Sequence, residues 1–293
     1  MPTEVRLTKP ELYKSLSFKR SAGKLRSYVL SAGRQAQSEA GYQPNIALLV
    51  RTMNDRENLQ KLIEHIDNER KDYAGRIDLI VVDTESKDGT KELAQAAGGT
   101  LVNMKQKDFS YPKSINLGMA KVKPDVEAVF ITVGHAFPAL SNCLAAAARH
   151  FKDKKVVAVY TDQLPGENAS FWEQIIYLGS PNIQRRMSLG PHITPGKHAG
   201  LTQATGSMVR LSAWKEHHFD EAYGHGGEDY VWGLWALKRG YRLVFDPAVA
   251  MHHTHGLGPI NFARQLRYWL RIILKPGDFD QQKLYKHRPD LRN

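Results

Sequence analysis

Cysteine is nearly absent: the 293 residues contain one, Cys143. A lone thiol excludes an internal disulfide framework and a zinc site built from cysteines. Its alanine-rich surroundings suit a small buried residue. Long apolar runs are missing too. Nothing approaches the roughly 18–20 apolar residues of a membrane span. The opening stretch MPTEVRLTKPELYK has no apolar core, so no secretory leader is expected. No G-x-G-x-x-G occurs, which argues against a dinucleotide-binding domain. Gly190–Lys197 resembles a phosphate-binding loop only superficially. One residue too many separates its glycines, His198 stands where Ser or Thr is required, and no strand precedes it.

What is present is ordinary in bulk and uneven in charge. Apolar residues make up 42% and charged residues 24%, enough for a substantial core in one domain with extensions. Residues 1–34 hold eight Lys/Arg against two Glu, and residues 262–293 hold eight Lys/Arg against three Asp; the two ends therefore carry the whole net charge of +11. Basic ends suit an anionic membrane face, an anionic acceptor or nucleic acid, or serve only as a solubilising surface. Nothing else in the chain supports nucleic acid, and none is expected. A cytoplasmic protein is expected, with the inner face of the membrane as a place of peripheral contact.

The organising stretch is IDLIVVDTESKDGTKELAQAAGG, residues 77–99. Leu79–Val82 is a continuous apolar run, as in a strand buried on both faces of a parallel sheet. It ends in Asp83, followed by a polar turn and a helix that Ser86 or Asp88 can cap and Gly98 can close. Ligands bind at the carboxyl ends of strands in open α/β sheets. Asp83 is therefore either a turn aspartate or an acceptor facing a base or ribose.

Residues 1–44 read as a basic extension of short amphipathic helices marked by Leu12, Leu16, Leu25, Tyr28 and Val29. Ile46–Val50 reads as a buried strand, followed by Arg51-Thr52-Met53-Asn54-Asp55. Leu59, Leu62, Ile63 and Ile66 then mark an amphipathic helix. Arg51, at the strand end, can face a pyrophosphate or the surface; Lys113 can pair with phosphate or lie on a helix surface. Further strands are expected at Thr100–Asn103, Glu127–Val133, Lys155–Thr161 and Arg242–Asp246, with Ala204–Arg210 a strand lining the site. Ala139–Phe151 reads as a helix and 180–200 as a loop. Glu228-Asp229 follows two glycines at the start of a helix, a position suited to acid–base work, although the helix dipole favours the ionised form. His253 and His255, at alternate positions after the last strand, share a face if the strand continues. Ile260–Leu274 is an amphipathic helix with Arg264, Arg267 and Arg271 that can pack on the domain or touch a membrane surface.

VDTESKDGT resembles the V-D-x-x-S-x-D-G-T signature of the family 2 glycosyltransferases, and further motifs follow in family order between about 46 and 256. FSYPKSINLG is similar to F-S-H-G-x-x-x-N-x-G, closest in wording to rhamnosyltransferase-like members, with Tyr111-Pro112 in place of His-Gly. The turn Asp162-Gln163-Leu164-Pro165 resembles their R-Q-L-P. Phe219-Asp220-Glu221, Gly226–Trp232 and Gly240–Pro247 are similar to F-D-E, G-x-E-D-x-x-W and G-Y-x-x-x-x-D-P.

The resemblance implies a GT-A-like α/β domain with a mostly parallel sheet over 45–256. Its nucleotide half would span about 46–138 and its acceptor half about 139–256, with 257–293 a basic C-terminal helix and tail. It implies an inverting sugar transfer from a UDP, dTDP or GDP donor to a hydroxyl on a glycan, a lipid-linked or a small-molecule acceptor. Asp229 would be the base, and Glu228 would orient the acceptor or sugar. Arg51, Thr52, Asn54, Asp83, Glu85 and Asp88 would hold the donor, together with Lys113, Asn116, Gly134, Gln163 and Gly206. His135 falls where the family has its metal-binding aspartate, and the His253/His255 pair falls where a third metal ligand is found. The implied cofactor is a divalent ion, Mn²⁺ or Mg²⁺, although hard ions prefer carboxylates to imidazole. His135 raises two alternatives: a metal-free role with its ring near the diphosphate, and a catalytically retired domain that binds a nucleotide sugar or glycan.

Overall fold

The computed structural model describes residues 16–39, 41–166, 169–194, 203–224 and 226–274. Among the described residues of the N-terminal segment, Leu16–Ser38 form one continuous helix, α1, rather than short separate ones. Ala22, Leu25, Val29, Ala32 and Ala36 form its buried stripe. A small-residue stripe lets a helix approach its support closely. Glu39 pairs with Arg149 at 3.1 Å, and the Gly33 carbonyl accepts from Asn142 Nδ2. The apolar face of α1 is thus spent on the domain. Leu12 lies outside the described residues.

The continuous apolar runs become the sheet. In chain order come β1 (Ile46–Thr52), α2 (Arg56–Arg70), β2 (Ile77–Thr84), α3 (Thr90–Ala96), β3 (Thr100–Met104), α4 (Tyr111–Met119) and β4 (Ala128–Val133). β1 lies between β2 and β4, parallel to both, and every residue of it is buried. Leu59, Leu62, Ile63 and Ile66 of α2 are buried, as the periodicity requires. Asp88, not Ser86, serves the start of α3: its Oδ1 accepts from Thr90 N at 3.1 Å, while Ser86 Oγ accepts from Asn54 N at 2.8 Å. α4 sits so close to the sheet that a Cβ on Gly118 would lie 2.5 Å from Leu49 Cδ1, so glycine is required there.

The second half adds β5 (Phe137–Pro138), α5 (Cys143–Ala148), β6 (Val156–Tyr160), α6 (Phe171–Gly179), α7 (Pro181–Ser188), β7 (His192–Ile193), β8 (Ser207–Arg210), α8 (Leu211–Glu216), α9 (Glu228–Lys238), β9 (Arg242–Phe245), β10 (Met251–His252) and α10 (Pro259–Leu274). The main sheet runs β3-β2-β1-β4-β8-β6-β9-β7. β8 is antiparallel to both β4 and β6, and β7 to β9; the other pairs are parallel. This is the mostly parallel α/β fold expected. The loop expected over 180–200 is instead α7 and β7 up to Thr194, and 195–202 lie outside the described residues. Ser180 caps α7 by accepting from Ile183 N, and Pro181 opens it. That serine–proline start signal was present in the sequence. No described helix is long and apolar enough to cross a membrane.

α5 makes no side-chain cap of its own. Glu69, buried on α2, supplies one: its Oε1 accepts from Ala145 N at 2.7 Å, while Oε2 has no partner among the described residues. Burial pushes the Glu69 carboxyl up to about 8. The folded state therefore keeps a proton that the unfolded chain releases, and this contribution to stability declines as pH rises from about 4.5 towards 8. Glu69→Gln keeps the acceptor and removes the buried charge. We expect the variant to gain on wild type by on the order of 1–3 kcal/mol between about pH 5 and pH 8, read from urea midpoints. Parallel stability–pH curves would contradict this role.

Candidate active site

The parallel register brings Thr52 beside Asp83 at the carboxyl ends of β1 and β2. Thr52 Oγ1 donates to Asp83 Oδ2 at 3.2 Å, and Ser86 N donates to Oδ1 at 3.0 Å. Asp83 is wholly buried. The structure shows the turn role, in which the carboxylate organises the turn from beneath, and each oxygen keeps a further lone pair. Asn54, at φ 51°, accepts from Lys87 N at 2.8 Å, and Asp88 Oδ2 accepts from Arg56 N at 3.0 Å. The two strand-end turns are thus laced into one rim. Glu85, at φ 53°, accepts from Gln106 N at 2.9 Å and leans towards the segment after β3.

Asn116 is fully spent inside the protein. Its Nδ2 donates to the Phe219 carbonyl and Glu221 Oε1, and its Oδ1 accepts from Trp214 Nε1 and Phe219 N. Two donors and two lone pairs are all an amide offers. The expected nucleotide contact is therefore replaced by a latch between α4 and the Phe219–Glu221 segment. Lys113 is half-buried on the first turn of α4, where its backbone N–H donates to the capping hydroxyl of Ser110. Gly206, at φ 81°, is a packing position: a Cβ there would lie 2.6 Å from Met251 Cγ. Gln163 accepts from Tyr177 Oη at 3.4 Å in the turn beneath the histidines.

His135, His253 and His255 come together, but not through strand alternation. β10 ends at His252 and pairs antiparallel with β5, placing Phe137 opposite His252. This pairing carries the loop after β10 over the turn after β4. His253 N donates to the Leu164 carbonyl, and Leu164 N donates to the Met251 carbonyl, so the loop is tied to the 162–165 turn. Buried Glu173 accepts from the backbone N–H groups of His255 and Leu257. The Nε2 atoms of His135 and His253 lie 3.1 Å apart, and one ligand nitrogen from each of the three rings falls within 4.8 Å of the others. Burial, then the neighbouring His255 and His135, lower His253 well below the usual histidine range; partial burial and His135 lower His255. Both rings are neutral at pH 7, the form that offers a lone pair to a metal. Nitrogens bound to one ion at about 2.1 Å lie on the order of 3.0–3.4 Å apart. The His135–His253 pair falls in that range, and the three rings together could hold a metal ion.

Glu228 and Asp229 open α9 after Gly227, whose φ of 95° suits glycine. Burial raises both carboxyls, Glu228 to about 8, with the charge of Asp229 adding to the effect, and Asp229 to about 6. Arg51 opposes both shifts. Burial thus outweighs the helix dipole. Arg51 is itself buried in β1, its Nη2 donating to Thr205 Oγ1 at 3.3 Å and its guanidinium 5.4 Å from the centre of the Tyr111 ring. Its charge acts on Glu228, Asp229 and His253. The sequence leaves open a pyrophosphate contact or a surface arginine; the structure removes the surface reading, since Arg51 is buried and its charge favours ionisation of the carboxylate pair.

Sequence reasoning missed Glu173, Thr205 and the side chain of Asp55, which reaches His135 Nδ1 at 3.2 Å. Only Glu173 had a signal: Ser170 and Glu173 form a capping box at the start of α6.

A family model described as "Glycosyl transferase family 2" matches residues 48–205. No curated protein sequence matches the chain. Among solved structures, the mannosyltransferase PcManGT from Pyrobaculum calidifontis, in complex with GDP-Man and Mn²⁺, is similar with a TM-score of 0.54 at 16% identity, over 89% of this chain and 73% of that one. Glucosyl-3-phosphoglycerate synthase of M. tuberculosis is similar with a TM-score of 0.51 at 12% identity, over 85% of this chain and 86% of that one. At these identities the likeness shows the fold. The family match covers more than half of the chain, and the chain belongs to glycosyl transferase family 2.

Proposed function

We propose that this glycosyltransferase moves a sugar, with inversion, from a nucleoside diphosphate donor to an acceptor hydroxyl in glycan, polysaccharide or glycolipid synthesis. The observation that carries the reading is the buried Glu228–Asp229 pair, countercharged by Arg51. Around neutral pH Asp229 is ionised and Glu228 keeps its proton. Asp229 takes the proton of the acceptor hydroxyl as its oxygen attacks the anomeric carbon opposite the leaving diphosphate. Glu228, whose Oε2 has no partner among the described residues, orients the acceptor or sugar by hydrogen bonding. The laced turns at 52–55 and 83–88 receive the nucleoside, and Lys113 faces its phosphates. UDP, dTDP and GDP are the donor nucleotides to be compared; PcManGT was solved with GDP-Man. For contact with an anionic membrane surface, α10 is the better element, because Arg264 and Arg267 are exposed whereas the apolar stripe of α1 is buried.

His135, His253 and His255 would hold a divalent ion, which when bound supplies countercharge to the leaving diphosphate. Mn²⁺ accompanies the donor in PcManGT. An imidazole-rich site should accept Co²⁺ or Zn²⁺ better than Mg²⁺.

The test is turnover of UDP-, dTDP- and GDP-sugars by purified protein. Asp229→Asn should cut kcat by about 10²–10⁴-fold while leaving donor affinity nearly intact. In wild type kcat/KM should fall as pH is lowered through about 6, where Asp229 gains its proton. Turnover of Asp229→Asn within a few-fold of wild type would refute the assignment. Donor binding without any turnover would point to the retired, sugar-binding alternative.

The metal reading predicts that Mn²⁺ binds weakly to free protein and tightly only with a nucleoside diphosphate, because the site lacks a carboxylate ligand. Calorimetric titration with and without UDP and GDP checks this. His253→Ala should abolish the nucleotide-dependent binding, and full activity in excess chelator would contradict it.

A further inference from the structure

Asp55 stands at the N-cap of α2, where an aspartate commonly accepts from the helix's own first-turn N–H groups. Here its side chain makes no cap bond. Oδ2 is instead turned to His135 Nδ1 at 3.2 Å, and Oδ1 accepts from Asn58 Nδ2 at 2.9 Å. The backbone holds the residue from behind, with Asp55 N donating to Thr90 Oγ1 at 3.1 Å. Gly134 leaves the space: a Cβ there would lie 2.7 Å from Asp55 Oδ2. An unused cap and a missing side chain at 134 both serve the same contact.

That contact decides what the other edge of the ring does. With the Nδ1 proton of His135 directed at Asp55, the lone pair resides on Nε2, which faces His253 Nε2 at 3.1 Å. Without the carboxylate nothing in the first turn of α2 would select this tautomer or hold the ring against rotation. Carboxylates behind ligand histidines tune and orient them in this way.

We propose that Asp55 is the positioning residue of the histidine cluster: it fixes the tautomer and orientation of His135 so that Nε2 joins His253 and His255 around one divalent ion. This rests on reading the three histidines as metal ligands. Neither the family match nor the sequence pattern assigns Asp55 a role.

The probe is Co²⁺, titrated into the full chain with UDP or with GDP and followed by calorimetry and by the visible absorption of the bound ion. Asp55→Ala should bind Co²⁺ about 10–100-fold more weakly than wild type and alter the absorption bands. Asp55→Asn, which keeps a carbonyl acceptor, should fall between the two. Thermal midpoints without metal establish that each variant is folded, and Asp55→Asn carries the test if Asp55→Ala is not. If His253→Ala abolishes Co²⁺ binding while both Asp55 variants match wild type in affinity and spectrum, the role of Asp55 is overturned. If wild type binds no Co²⁺ with either nucleotide, the histidine metal site itself is overturned.

Discussion

A guanidinium buried at the end of a central strand must be answered by negative charge, and that requirement links segments far apart in this chain. Arg51 belongs to β1, which lies between β2 and β4; Glu228 and Asp229 belong to α9, far along the chain. Each alone would be costly to bury as an ion. Together they share the burden unevenly: Arg51 stays charged, Asp229 is held near the edge of ionisation, and Glu228 stays protonated around neutral pH. Burial holds both carboxyls above their ordinary range, and Arg51 opposes that shift in each.

The parts of the fold that follow local rules were legible in the sequence. The apolar runs at 46–50, 79–82 and 128–133 became strands, and the 59–66 periodicity became the buried face of α2. The ordered motifs pointed to the family. What escaped was set by contacts distant in sequence. Asn116 keeps a motif position yet spends its amide on Trp214, Phe219 and Glu221, about a hundred residues away. The histidines meet because the two-residue strands β5 and β10 pair, which no periodicity in so short a segment could indicate. Asp55 sits in a turn whose composition suggests only a helix cap. α7 was missed for a different reason: the glycine, proline and histidine content of 180–200 outweighed a clear serine–proline helix start.

The histidine cluster is where this chain departs from its family's wording, and the fold has built support around the departure. Glu173 fixes the backbone that carries His255, the 162–165 turn fixes His253, and Asp55 reaches His135. Neutral imidazoles bring no charge of their own, so under the proposed function a cation there would depend on the donor diphosphate for its negative partner, coupling metal binding to donor binding.

The most direct measurement is an anomalous difference map from crystals of the full chain grown with Mn²⁺ and UDP or GDP. The account predicts one strong peak within about 2.0–2.4 Å of nitrogens of His135, His253 and His255 and of the diphosphate oxygens. A nucleotide-bound structure whose manganese is held by Glu228 or Asp229, with the histidines unliganded, would contradict it.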